Sequence, residues 1–126
     1  MPVRDMVLGS TQPVLAISLE PGESVVGPMG GFAWMTDSIQ MAAGQHGLST
    51  YTAKDAVGTI AFAARRPGRI LSVEVAPERD YLVSQRGFLA GTPGIEVGTQ
   101  PLGQSSVLRR IYGRGRAWLP AGGSRP

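Results

Sequence analysis

Hydrophobic and polar residues alternate strictly in two separate stretches of this chain, and each stretch ends at a proline. Leu15, Ile17 and Leu19 alternate with Ala16, Ser18 and Glu20 before Pro21. Leu71, Val73 and Val75 alternate with Ser72, Glu74 and Ala76 before Pro77. A period of two predicts half-buried β-strands, with the apolar triplets facing a core. Proline has no N–H to give to a ladder, so it closes each strand and opens a turn. The two stretches are also copies of each other. Pro13–Pro21 returns 56 positions later as Arg69–Pro77; Val25 and Val26 fall on Tyr81 and Leu82, Gly31-Phe32 on Gly87-Phe88, and Ile39 on Ile95. A repeat of this length is one supersecondary unit used twice.

The remaining segments extend the pattern. Short strands are predicted at Glu23–Gly27 and Arg79–Ser84, at Phe32–Met35 and Phe88–Ala90, and at Ser38–Ala42 and Ile95–Gly98. Leu48–Ala53 and Val107–Tyr112 follow. Gly58–Ala64 then corresponds, at an offset of 57, to Gly115–Ala121. Residues 44–47 and 99–104 read as equivalent loops, and 122–126 as a frayed tail. No long window carries capped helical periodicity free of Gly and Pro. About twelve short strands without a helix predict an all-β fold, a β-sandwich or flattened barrel. Its two pseudo-repeated halves, 13–68 and 69–121, are expected to pack their apolar faces together as a single domain.

Composition narrows this picture modestly. The 18 Gly and 10 Pro among 126 residues suit tight turns, and 126 residues suffice for an ordinary core. There is no cysteine, which removes disulfides and thiolate chemistry and makes the cytoplasm the default compartment. No signal sequence and no apolar run near the roughly 20 residues of a membrane span are visible. The expectation is a protein that does not cross a membrane, with peripheral association left open. The net charge is +3, and every basic residue but Lys54 is Arg.

Candidate chemistry is sparse. His46 is the single histidine, whereas a metal-binding β-barrel needs two or three His with a Glu, and only Glu74 and Glu96 offer themselves. A Ser-His-Asp group would have to recruit His46 with Ser38 or Ser49, and there is no Gly-x-Ser-x-Gly elbow. Gly113-x-Gly115 lacks both the third glycine and the helix of a phosphate loop. No catalytic residue, cofactor or metal is therefore expected, and the chain reads as non-enzymatic.

Two clusters remain. Met29, Phe32, Trp34, Met35 and Met41 form a Met-rich apolar stretch. Its outward members suit self-association, since Met tolerates imperfect fit and Trp is enriched in interface cores. A homo-oligomer is the expected assembly, and an unidentified protein partner is compatible with the same face. The alternative is RNA or DNA binding. Arg109, Arg110, Arg114 and Arg116 lie within eight residues beside Tyr112 and Trp118. On one continuous strand Arg114 and Arg116 would share a side with both rings, and Arg65, Arg66 and Arg69 mark the equivalent corner of the first half. Such a ridge could hold phosphates and stack bases, or the rings could be buried beneath the Arg stems.

Several strings in order resemble one family. They are Leu19-Glu20-Pro21-Gly22-Glu23-Ser24-Val25 with Gly30-Gly31, Gly58-Thr59-Ile60-Ala61-Phe62 with Pro67-Gly68-Arg69-Ile70, Gly87-Phe88-Leu89-Ala90, and Gly113–Leu119. Over residues 13–123 the chain resembles the altered-inheritance-of-mitochondria protein 24 family of mitochondrial biogenesis proteins, most of whose members are bacterial. The resemblance implies a repeated all-β fold like that of the tryptophan RNA-binding attenuator protein. It carries over no catalytic residue and a poorly defined role. Members of the family are usually longer, with Gly-Glu-rich stretches and extra strands before the segments that match Gly58 and Gly113, and here those stretches are short loops.

Overall fold

The structure is a computed structural model that describes residues 4–8, 13–44, 47–64, 68–84, 87–103 and 106–122. Its elements are antiparallel strands, and among the described residues there is no helix. The first half holds β1 (Arg4–Leu8), β2 (Val14–Leu19), β3 (Ser24–Pro28), β4 (Phe32–Met35), β5 (Ile39–Ala43), β6 (Leu48–Ala53) and β7 (Gly58–Ala63). The second holds β8 (Gly68–Val75), β9 (Tyr81–Val83), β10 (Ala90–Gly91), β11 (Ile95–Leu102), β12 (Ser106–Gly113) and β13 (Gly115–Gly122). They form a four-stranded sheet ordered β1-β2-β7-β4, a six-stranded sheet ordered β5-β6-β3-β10-β13-β8, and a three-stranded sheet ordered β11-β12-β9.

The repeat read from the sequence is present at the level of single hydrogen bonds. Glu23 N–H donates to Glu20 O at 2.9 Å, as Arg79 N–H does to Ala76 O at 2.8 Å. Gly31 N–H donates to Pro28 O and Gly87 N–H to Ser84 O, both at 2.9 Å. Thr36 N–H donates to Thr59 O, and Thr59 N–H returns to Thr36 Oγ1 at 3.1 Å. Thr92 N–H donates to Arg116 O, and Arg116 N–H returns to Thr92 Oγ1 at 3.0 Å. Strand pairing repeats too: Leu19 faces Gly58 and Val75 faces Gly115, Ile39 faces Ala53 and Ile95 faces Gly113.

The halves do not simply press their apolar faces together, as the alternation alone suggests. Each half is its own two-sheet sandwich, and the two share the middle sheet. The pairing of β10 with β3, Gly91 opposite Val26, welds β5-β6-β3 of the first half to β10-β13-β8 of the second. The six-stranded sheet thus has a core on each face. One core holds Leu15, Ile17, Leu19, Val25, Tyr51, Ile60, Phe62, Ala90 and Trp118. The other holds Val26, Leu48, Val75, Phe88, Ile95, Val97, Ile111, Ala117 and Leu119. This explains why Val25-Val26 and Ala117-Trp118-Leu119 are buried as consecutive residues, since successive side chains go to opposite faces and both are covered.

Other departures have local causes. β1 is an extra strand, unforeseen in the sequence, that flanks β2. It places the Asp5 carboxylate to accept the Trp118 Nε1–H at 3.0 Å, so the buried indole has its partner. The β8 triplet is only partly buried: Val75 is in the core, Val73 packs at its margin and Leu71 is exposed. β2 lies between β1 and β7, whereas β8 is the last strand of its sheet, with no flanking strand among the described residues. The expected loop at 99–104 is strand as far as Leu102. Pro101 is tolerated there because β11 is an edge strand, where a missing N–H can face solvent. Between β12 and β13 the chain turns sharply at Gly113 and Gly115, at φ 104° and 147°. A Cβ on Gly115 would collide with Thr92 Oγ1.

Two stability effects follow from this packing. Trp118→Ala empties the middle of the first core and should cost about 3–5 kcal/mol. Gly115→Ala combines an unfavourable φ with a steric overlap and should cost about 1–3 kcal/mol. Chemical denaturation followed by circular dichroism checks both.

Candidate functional site

The five residues of the Met-rich stretch occupy two sheets. Phe32, Trp34 and Met35 lie on β4, the outer strand of the four-stranded sheet, and Met41 lies on β5, the outer strand of the six-stranded sheet. Met29 sits in the turn before β4 and is exposed, as is Met41. Phe32 and Met35 turn inward against the first core, where Phe32 meets the Tyr51 ring edge-on at 5.7 Å. Tyr51 donates its hydroxyl to Pro28 O at 3.1 Å, and burial pushes its phenol above the ordinary value, so it stays neutral. A bulge at Ala33 shifts the register of β4 on β7, and Trp34 points outward with 47% of its surface exposed.

The repeat gives that exposure its meaning. Trp34 faces Ala61 across β4 and β7, and at the equivalent place Ala90 faces Trp118 across β10 and β13. Large and small residues have exchanged sides of the pair. The indole of the second half is enclosed, while that of the first half is open. The same asymmetry marks β3 and β9. Val26, at the joint, is 8% exposed, whereas its counterpart Leu82 is 55% exposed. Leu82 was aligned with Val26 in the sequence but carried no signal of its own, because a leucine in a short strand reads as core.

The arginines are dispersed. Arg65 and Arg66 lie outside the described residues, as do Gln45 and His46. Arg110 is held by the Asp80 carboxylate through Nε at 2.9 Å and through Nη2, and its guanidinium lies over the Tyr112 ring, 4.9 Å from the centroid. Arg109 pairs with Val83 and Thr99 on neighbouring strands, and its buried Nε and Nη1 have no hydrogen-bond partner among the described residues. Arg114 and Arg116 line a cleft of about 720 Å3 together with Arg79, Glu74, Glu78 and Thr92. Tyr112 and Trp118, expected in line with Arg114 and Arg116 on one strand, are parted by the Gly113–Gly115 corner. Tyr112 is on the three-stranded sheet and Trp118 is in the core of the six-stranded one. Among the described residues no three His, Asp or Glu side chains gather as a metal site, and no helix is long and apolar enough to cross a membrane.

Comparison with known proteins agrees with this architecture. An X-ray structure of a protein from Streptococcus pyogenes shares the fold at a TM-score of 0.77 and 19% sequence identity, covering 97% of this chain and 66% of that one. The present chain therefore spans about two thirds of that protein's length. No curated protein matches the sequence. The family model described as mitochondrial biogenesis AIM24 matches residues 6–125. A match over nearly the whole chain, on a fold built from the repeat described above, means that the chain belongs to the mitochondrial biogenesis AIM24 family.

Proposed function

We propose that this protein is a non-catalytic, self-assembling β module that serves as a scaffold. The observation that carries the reading is the β4 edge. Paired with β7 on one side and with no strand on the other among the described residues, it reads Phe-Ala-Trp-Met, without charge or proline, and it exposes an indole. Soluble domains normally protect a free edge with charge, proline or a covering segment. β11 carries Glu96 and Pro101, β8 carries Arg69 and Glu74, and β1 carries Asp5. β4 has none of these, nor have β5 and β9, and of the three it is β4 that exposes an indole, which suits a strand that another chain covers.

The RNA-binding alternative receives less support. Arg110 already has Asp80 as its counter-ion, Glu74 and Glu78 line the same cleft as Arg114 and Arg116, with Glu74 paired to Arg116 across β8 and β13, and the bulky indole meant for stacking is buried. A nucleic-acid surface should instead present several uncompensated cations along one track.

The purified protein should elute as a species whose light-scattering mass is a whole multiple of 13.2 kDa greater than one, with no excess absorbance at 260 nm. A mass of 13.2 kDa at tens of micromolar would remove the scaffold reading. In the same preparation, Arg114→Glu with Arg116→Glu should leave any residual RNA affinity at 50 mM salt unchanged within about twofold. A loss of tenfold or more, with a flatter salt dependence, would instead favour the arginine ridge.

A further inference from the structure

The repeat specifies which edge meets which. Inside the chain, β5-β6-β3 of the first half joins β10-β13-β8 of the second because β3 pairs with β10. Each of these strands has a counterpart in the other half, β9 for β3 and β4 for β10. Among the described residues both counterparts are terminal strands, β4 in the four-stranded sheet and β9 in the three-stranded sheet. The chain thus contains one finished joint and the two unmated halves of a second.

We propose that β4 of one copy pairs antiparallel with β9 of a second copy, repeating the internal joint between chains. The register is fixed by the offset of the repeat. Gly91 opposite Val26, shifted by 56 positions, becomes Met35 of one copy opposite Leu82 of the other. The four-stranded and three-stranded sheets would merge into one sheet, as the two three-stranded portions already merge in the middle sheet. The occupant is a second copy because the docked strand needs the geometry that β9 itself has. Tyr81-Leu82-Val83 is, like β4, free of charge and proline.

Side chains fit the same assignment. In the finished joint Val26 crosses into the core of the second half and Ala90 into the core of the first, and both are buried. By equivalence, Leu82 of one copy would enter the first core of its neighbour beside Met35. Trp34 of that neighbour would close the second core of the copy that gave Leu82. Both side chains are exposed where their counterparts, Val26 and Ala90, are buried. Each copy offers one β4 and one β9, so the contact is head-to-tail. Two copies that exchange both edges, or a larger ring, would close it.

This inference rests on the self-assembly reading, and the test separates the two. The chain has no cysteine, so Met35→Cys with Leu82→Cys introduces its only thiols. Directly opposed residues in an antiparallel pair stand about 4.5–5.5 Å apart at Cα, within disulfide reach. Mild oxidation should give interchain disulfides that disappear on reduction. Either single-cysteine variant should cross-link at least fivefold less. In a complementary experiment, Trp34→Glu blocks one edge and Leu82→Glu the other. Both sites are exposed, so folding is retained, and circular dichroism verifies it. Each variant alone should be monomeric, and an equal mixture should yield a species of two chains. If wild type assembles but the double-cysteine variant does not cross-link, or if Met35→Cys alone cross-links as well, the register is overturned and the scaffold reading stands. If wild type is a monomer, both are overturned.

Discussion

The contact between Gly91 on β10 and Val26 on β3 is the constraint on which the rest of this structure depends. Through it β5-β6-β3 of one half becomes continuous with β10-β13-β8 of the other, and the resulting six-stranded sheet has a core on each face. Glycine is required at 91 because a Cβ there would sit 2.9 Å from the Cβ of Ile95. Gly27 on the facing strand is equally constrained, since a Cβ would meet the Phe62 ring at 2.7 Å. The two glycines leave room for the core side chains of Ile95 and Phe62 packed against the joint, where Val25 and Val26 point to different cores. Neither half would cover its apolar residues as completely without the other. The first core takes Ala90 and Trp118 from the second half, and the second takes Val26 and Leu48 from the first.

Around that joint the two halves have diverged while keeping their backbone plan. The threonine clamps at Thr36 and Thr92 hold equivalent corners with nearly identical hydrogen bonds. The Trp34–Ala61 and Ala90–Trp118 pairs conserve summed volume while moving the indole from one strand to the other. The second half finds room for its indole in the shared interior, with Asp5 of β1 accepting its N–H. The first half presents its indole at the surface. Divergence of this kind leaves a fold intact and changes what its edges display.

Much of the architecture was legible in the order of residues. The bounds of Leu48–Ala53 and Phe32–Met35 coincide with β6 and β4, and the 56-residue offset reappears as paired hydrogen bonds. Leu71 alternates as regularly as Leu15, yet it is exposed, because a period of two says which face a residue takes and not whether anything covers that face. Pro101 and the glycines near it read as a loop, because proline's cost in a sheet depends on whether the strand is an edge. The arginine ridge read as one surface, because linear spacing is blind to the corner at Gly113 and Gly115 that sends Tyr112 and Trp118 into different sheets. Of the candidate site, Trp34 was visible and Leu82 was not.

Local pattern alone determined the strand content, the absence of helix among the described residues, the internal repeat and the family to which the chain belongs. All of these follow from short-range properties, namely side-chain alternation, turn residues and the spacing of glycines. The tertiary structure decided which strands share a sheet, which of two equivalent strands is mated and which is free, and therefore which apolar residues are core and which are surface. Burial is a relation between segments distant in sequence. The same unit written twice can enclose an indole at one site and expose it at the other, because β10 finds β3 beside it while β4, its counterpart, has no such neighbour among the described residues.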